Sequence, residues 1–250
     1  METGRVHGHF IETIASLNQQ YALSCGCQRG EGERALVENA YGLDIPRTLE
    51  EVCHPQRMAL IVYDMQIGIV GQALNSEQVT SKVVTVVMAA RQGGFRIFFS
   101  RHLSLPNEVA GVSQLRTAMA WQRKDKAENV KPSFLRDSPQ AQFVPAVTPL
   151  QSEAIFEKLG MSFFAGTPLE MALRDCGIGA LAIVGVVLEV GIEPTIVHAA
   201  DLGFVPVLIA DACGSVNREA RKRALDSLAF GGNTLITDAA AICALLRREM

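Results

Sequence analysis

The sequence predicts an α/β protein: a parallel sheet of six strands with helices on both faces, three αβα layers in all. Two observations carry this. Short runs recur at 57–65, 95–100, 154–158, 181–187, 204–210 and 233–237, the longer of them mostly apolar and rich in β-branched residues. Strands of that texture are covered on both faces. Segments with apolar residues at three- and four-residue spacing stand between them. Strand and helix therefore alternate, as in sheets whose parallel strands are joined by crossover helices.

In chain order, residues 1–55 have a different texture. Phe10, Ile14 and Leu17 suggest a short helix, and Ser24 to Gly32 breaks any regular pattern. Tyr41 to Pro46 reads as extended, and Thr48-Leu-Glu-Glu caps a short turn. This stretch is expected to be an arm packing on the core or on a neighbouring subunit, with the domain proper covering 56–250. The first strong strand ends at Asp64-Met65. A helix follows over 76–93, with Ser76 as N-cap and Gly93-Gly94 as its stop. The strand from Phe95 leads into Arg101-His102, and residues 103–150 form a long insertion with a helix around 111–122.

After the strand 154–158, Gly177 stops a helix over 168–176. Leu181 to Val187 is a buried strand, and from about Gly191 the period changes to that of a helix with Pro194 in its first turn and Gly203 at its C-cap. Between them the turn 187–191 aims backbone N–H groups and a helix N-terminus at one small volume, a place suited to developing negative charge. Helices over 217–228 and 239–248 complete the pattern.

A chain of 250 residues stands at the upper end of one domain. Its 48% hydrophobic and 20% charged content is ordinary for a globular protein with a full core. The net charge of −3 and the single Trp give no basis for a nucleic-acid partner. No apolar run reaches the length of a membrane span and the N-terminus has no signal-peptide stretch, so a cytoplasmic protein without membrane contact is expected. Six scattered cysteines read as reduced thiols, and Cys25-Gly-Cys27 as two loop thiols rather than a metal site.

In a parallel sheet, ligands bind beyond the C-terminal strand ends. The polar residues there are Asp64, Arg101-His102, Lys158, the 187–191 turn and Asp211. In order and spacing, Ala59 to Gln66, Phe156-Glu-Lys158 with Ser162-Phe-Phe164 and Thr167-Pro-Leu169, Gly185 to Glu189, and Gly203 to Ala212 resemble the isochorismatase-like hydrolase superfamily, which includes isochorismatases, nicotinamidases and other cysteine hydrolases. The resemblance covers about 57–247.

The resemblance implies that Asp64 and Lys158 are catalytic. It places Gly191 where most members carry a nucleophilic cysteine, which rules out thiolate attack from that position. Isochorismatases proper also lack the cysteine and cleave a vinyl ether by proton transfer from the aspartate. Asp64 beside Lys158 equally suits a base that activates water. The resemblance further implies a cis peptide after Val186, with backbone donors at Val187 and Gly191 facing the substrate oxygen, and room beside the bare Gly191. Ser100-Arg-His-Leu-Ser104 lacks the Asp-x-His of zinc-binding members, so neither metal nor cofactor is expected.

Arg101 suggests a carboxylate-bearing small-molecule substrate, gripped by two parallel hydrogen bonds; the other reading is that Arg101 and His102 bridge carboxylates across a subunit contact. Gln66 reads either as a substrate amide contact or as a helix-start residue. Trp121 reads either as a buried or interface aromatic or as a pocket wall. Glu189 and His198 read as structural. A hydrolase without a covalent thiol step leads. The alternatives are a catalytically silent binding protein, and an amidohydrolase using another thiol, for which Cys213 is the candidate. The resemblance also implies a homo-oligomer.

Overall fold

The computed structural model describes residues 37–247. The expected helix at Phe10, Ile14 and Leu17 and the Cys25–Cys27 pair lie outside the described residues. A small antiparallel hairpin comes first, β1 (Glu38–Ala40) and β2 (Leu43–Ile45). Its tip is Tyr41-Gly42, both at positive φ, so the stretch expected to be extended contains a tight turn. Arg47 and Thr48 donate their backbone N–H groups to Glu51, opening the short helix Leu49–Val52.

The main sheet is parallel and has six strands: β3 (Met58–Tyr63), β4 (Arg96–His102), β5 (Ala154–Lys158), β6 (Ala180–Val186), β7 (Val205–Gly214) and β8 (Leu235–Thr237). Their order is β5-β4-β3-β6-β7-β8. The chain builds outward from β3 to β5, then crosses back to β6 on the other side of β3. The crevice at such a reversal is where doubly wound sheets hold ligands.

All six residues of β3 are buried because both of its faces are covered. Met58, Leu60 and Val62 pack with Val79, Val83 and Val86 of the helix Ser76–Gln92 and with Ile242 and Leu246 of the helix Ala239–Leu246. Ala59, Ile61 and Tyr63 face the opposite layer, with Leu169, Leu173, Ile196 and Leu228 from the helices Leu169–Asp175, Glu193–Asp201 and Arg218–Gly231. The period of two in a strand produces this division, and each such side chain contributes about 1.5–3 kcal/mol on burial.

Two glycines permit the close fit around β3. Gly185 lies opposite Tyr63 in the β3–β6 register, at φ +126°. A Cβ there would meet the Tyr63 backbone at 2.8 Å. Gly191 lies in the turn after β6 and faces the Tyr63 side chain.

Two expectations needed adjustment. Asp211 is inside β7, not at its end, and its carboxylate binds Lys82 at 3.0 Å and accepts from the Ala239 N–H at 2.7 Å. It braces helices instead of facing the crevice. The helix expected from about Gly191 begins at Glu193, after one π-helical turn over Leu188–Ile192. The insertion carries the helix Val112–Gln122 and several single 3-10 turns.

Candidate active site

Three neighbouring strands bring Asp64, Ser100 and Lys158 together. Asp64 follows β3, Ser100 lies on β4, and Lys158 ends β5. Lys158 Nζ stands 2.8 Å from Asp64 Oδ2. The Ser100 hydroxyl donates to Asp64 Oδ1 at 2.5 Å and accepts from the Asp64 N–H at 2.9 Å. Nζ also donates to the Gly160 carbonyl at 3.2 Å and lies 4.5 Å from the centre of the Tyr63 ring. Asp64 is 4% and Lys158 2% exposed. Desolvating two charges is costly, and further hydrogen bonds must offset that cost; the serine and the carbonyl supply them.

Asp64 has φ +44°, in the left-handed region, which costs an L-residue about 1–2 kcal/mol. Asp tolerates it better than most residues, and here the Ser100 contacts hold the conformation. A carboxylate fixed between a hydroxyl and an ammonium can take up, hold or return a proton.

The Val186–Val187 peptide is cis, as the resemblance implied. Of the two backbone donors proposed beside it, Gly191 departs from that expectation. The Gly191 N–H is spent within the turn, donating to the Val187 carbonyl at 3.0 Å alongside the N–H groups of Val190 and Ile192. The expected room beside Gly191 is filled. A Cβ placed there would lie 2.6 Å from Tyr63 Cζ and 2.7 Å from Cε1. The phenol has taken the space of a side chain at 191.

Gln66 is fully buried, and its amide is committed to the protein. Nε2 donates to the carbonyls of His102 (2.9 Å) and Ala141 (3.0 Å), and Oε1 accepts from the His102 N–H (2.7 Å). This corrects its reading as a substrate contact: it clasps β4 and the insertion to the end of β3. Arg101 is opposite Glu157 in the β4–β5 register and forms an ion pair with it. Arg136 grips the same carboxylate at 2.5 Å. Arg101 is therefore already matched, and a substrate carboxylate would have to displace Glu157 to use it. Trp121 is 58% exposed on the helix Val112–Gln122 and lines no cavity at the site.

His102 pairs in register with Lys158. Burial first, then the Lys158 charge, lower its pKa to about 4, against a smaller opposing pull from Asp64. Its imidazole is thus neutral near pH 7. Glu189 accepts from the N–H groups of Val216 and Asn217 at the head of the helix Arg218–Gly231, in keeping with its structural reading. His198 Nδ1 is 2.9 Å from the Ser162 hydroxyl. Cys213 is buried within β7, its thiol directed to the Ile183 carbonyl. Burial pushes its pKa up to about 12, the condition of an inert thiol.

A cleft of about 840 Å³ opens beside the pair. Leu103, Leu105, Leu135 and Leu159 give it an apolar wall, and Arg136 and Ser138 a polar one. Lys158 borders it and Asp64 does not. Two participants escaped sequence reasoning. Ser100 sits in an apolar strand run with nothing local to mark it, and Tyr63 reads as one more core residue. The only available signal was that both neighbour residues already singled out, Arg101 and Asp64.

Among the described residues no group of three or more His, Cys, Asp or Glu is placed to hold a metal ion.

The isochorismatase-domain family profile matches residues 58–240. The chain is 25% identical over 201 residues to enterobactin synthase component B of Escherichia coli, covering 78% of this chain and 66% of the length of that protein. Among solved structures, a cysteine hydrolase from Pseudomonas syringae superposes with a TM-score of 0.66 at 20% identity, covering 77% of this chain and 93% of that one. The pyrazinamidase of Pyrococcus horikoshii, solved in complex with zinc, does so with a TM-score of 0.62 at 23% identity, covering 73% and 99%. At these identities the two structures establish a shared fold. The profile match, spanning most of the sequence, establishes more: the chain belongs to the isochorismatase family of hydrolases.

Proposed function

We propose that this protein hydrolyses a small molecule through Asp64 and Lys158, without a covalent thiol intermediate, with the substrate seated in the cleft beside Lys158. The observation that carries the reading is the buried 2.8 Å contact between the two side chains, fixed from β4 by Ser100. Both Asp64 oxygens serve as acceptors, which is the inventory of an ionised carboxylate. Ionised, Asp64 takes a proton from the water that attacks an amide carbonyl and returns it to the leaving nitrogen; on a vinyl ether it acts in the protonated form, giving its proton to the enol-ether carbon and regaining one from the water that adds to the oxocarbenium ion. Lys158 holds the carboxylate in place throughout. The scissile bond is a vinyl ether C–O, as the glycine at 191 in place of a cysteine suggests by resemblance to isochorismatases, or an amide C–N.

The leucine-lined wall suits an apolar-bodied substrate. Arg101 and Arg136 share the single Glu157, and Asp137 lines the same cleft, so the rim offers charges of both signs.

The deciding experiment is a turnover screen over isochorismate, nicotinamide, carbamoyl-amines and maleamate, with product identification. The substrate found is then tested with Asp64→Ala, which is expected to abolish turnover. Full activity in that variant would overturn the assignment. Tight binding of a ligand with no turnover would instead mark a binding protein.

A further inference from the structure

We propose that Tyr63 is a positioning residue, its phenol wedged between Gly191 and the 160–162 turn so as to hold the Lys158 ammonium on Asp64. The inference rests on the Asp64–Lys158 reading above and assigns a role to a residue which that reading does not use.

Three contacts meet on this side chain, which is 1% exposed. Its ring face lies 4.5 Å from Lys158 Nζ, inside the range of about 6 Å over which a cation is drawn to an aromatic face. Its hydroxyl donates to the Met161 carbonyl. The preceding carbonyl, Gly160, accepts from Lys158 Nζ. The phenol therefore anchors the same turn that grips the ammonium, and touches the ammonium as well.

The far side is closed. The ring edge packs against Gly191 at a distance that no side chain at 191 could share. Thr195 ties the two flanking segments together, donating to the Gly191 carbonyl at 2.7 Å and accepting from the Phe163 N–H at 3.0 Å. Burial, and next the Asp64 charge, push the phenol pKa well above its ordinary value, so the hydroxyl remains a donor. Any buried phenol needs a partner for its hydroxyl; the ring face turned to the ammonium is the contact that core filling alone does not require.

The arrangement makes Tyr63 and Gly191 a matched pair. Gly191→Ala must push the phenol away from Met161, and a smaller residue at 63 would make room for the added methyl. Stability and turnover should then separate. Gly191→Ala is expected to lower both. Adding Tyr63→Leu should recover much of the lost thermal stability and none of the lost turnover.

The test uses the full chain with three variants and two readouts. Tyr63→Phe keeps the ring and removes the tether. It is expected to lower kcat about fivefold, the worth of one hydrogen bond, with KM changed less than about twofold. Tyr63→Leu also removes the aromatic face and should lower kcat further. The second readout needs no substrate: acetylation of Lys158 by acetic anhydride, mapped by mass spectrometry, should be slow in the native protein and faster in Tyr63→Leu. Unchanged kcat and unchanged Lys158 protection in both Tyr63 variants, where Asp64→Ala is inactive, would overturn the proposal and leave the Asp64–Lys158 reading intact. If Asp64→Ala keeps full turnover, that reading fails instead, and Lys158 protection alone decides whether Tyr63 holds the ammonium.

Discussion

Ser100 and Asp64 exchange two hydrogen bonds across adjacent strands. The serine hydroxyl accepts the aspartate N–H at 2.9 Å and donates to its Oδ1 at 2.5 Å. One small side chain thus satisfies the backbone of a residue at positive φ and aims its carboxylate. Ser100→Ala leaves a buried N–H without an acceptor, at a cost of about 1–3 kcal/mol. Urea denaturation should show a loss of that size, together with reduced kcat. An unchanged midpoint would mean that another group takes over both contacts.

Lys158→Met removes the partner of a buried carboxylate and is expected to destabilise the fold by about 3–5 kcal/mol. Asp64→Leu in the same chain removes the stranded charge, so the double variant should be more stable than Lys158→Met alone. Turnover should be absent from both. A double variant no more stable than the single would show that the carboxylate had not been stranded.

His102 gives a pH dependence whose sign follows from its lowered pKa. The unfolded chain binds a proton near pH 6.5, whereas the folded site does so only near pH 4. Stability contributed by the neutral ring is complete above about 6.5 and is lost as pH falls toward 4, by about 3 kcal/mol. His102→Gln should flatten the stability profile across that window, measured as denaturation midpoint against pH. An equally steep profile in the variant would assign the acid sensitivity elsewhere.

Gln66→Leu deprives the His102 N–H of its acceptor and leaves two buried carbonyls without a donor. A loss of about 2–3 kcal/mol is expected, with faster amide exchange at His102 and in the insertion around Ala141. Exchange unaltered at His102 would contradict the clasp.

Cys213 should resist iodoacetamide in the folded protein, since its thiol is buried and its pKa is raised to about 12. Cys213→Ala should keep native turnover. Inactivation that maps to Cys213 would revive the reading in which a thiol carries the chemistry.

The central strands β3, β4, β6 and β7 were legible because they are covered on both faces and read as long apolar runs; the edge strands β5 and β8, only partly buried, left shorter apolar stretches. The run Ala154–Lys158 was located to the residue. The hairpin at Tyr41-Gly42 was missed because its strands are three residues long and exposed. Asp64 and Lys158 were legible as charges ending apolar runs. Ser100 and Tyr63 were not, because their roles arise from register across strands, and a single sequence does not display which residues stand opposite each other. The space at Gly191 was misjudged for the same reason: a glycine reads as a gap, although the side chain that fills it arrives from a strand more than a hundred positions earlier. Gln66 and Arg101 were recognised as well placed, but their partners, a backbone loop and Glu157, are fixed only by the folded chain.

Asp64 follows directly on the interior strand β3, whereas Lys158 sits on β5, the outermost strand on its side of the sheet. Border strands fray before central ones. Warming would therefore part the two groups while the middle of the molecule is still intact, and loss of activity would run ahead of melting. The bridges from Arg91 to Glu153 and from Arg136 to Glu157 act as rivets along that margin, and their strength would set the temperature ceiling for work.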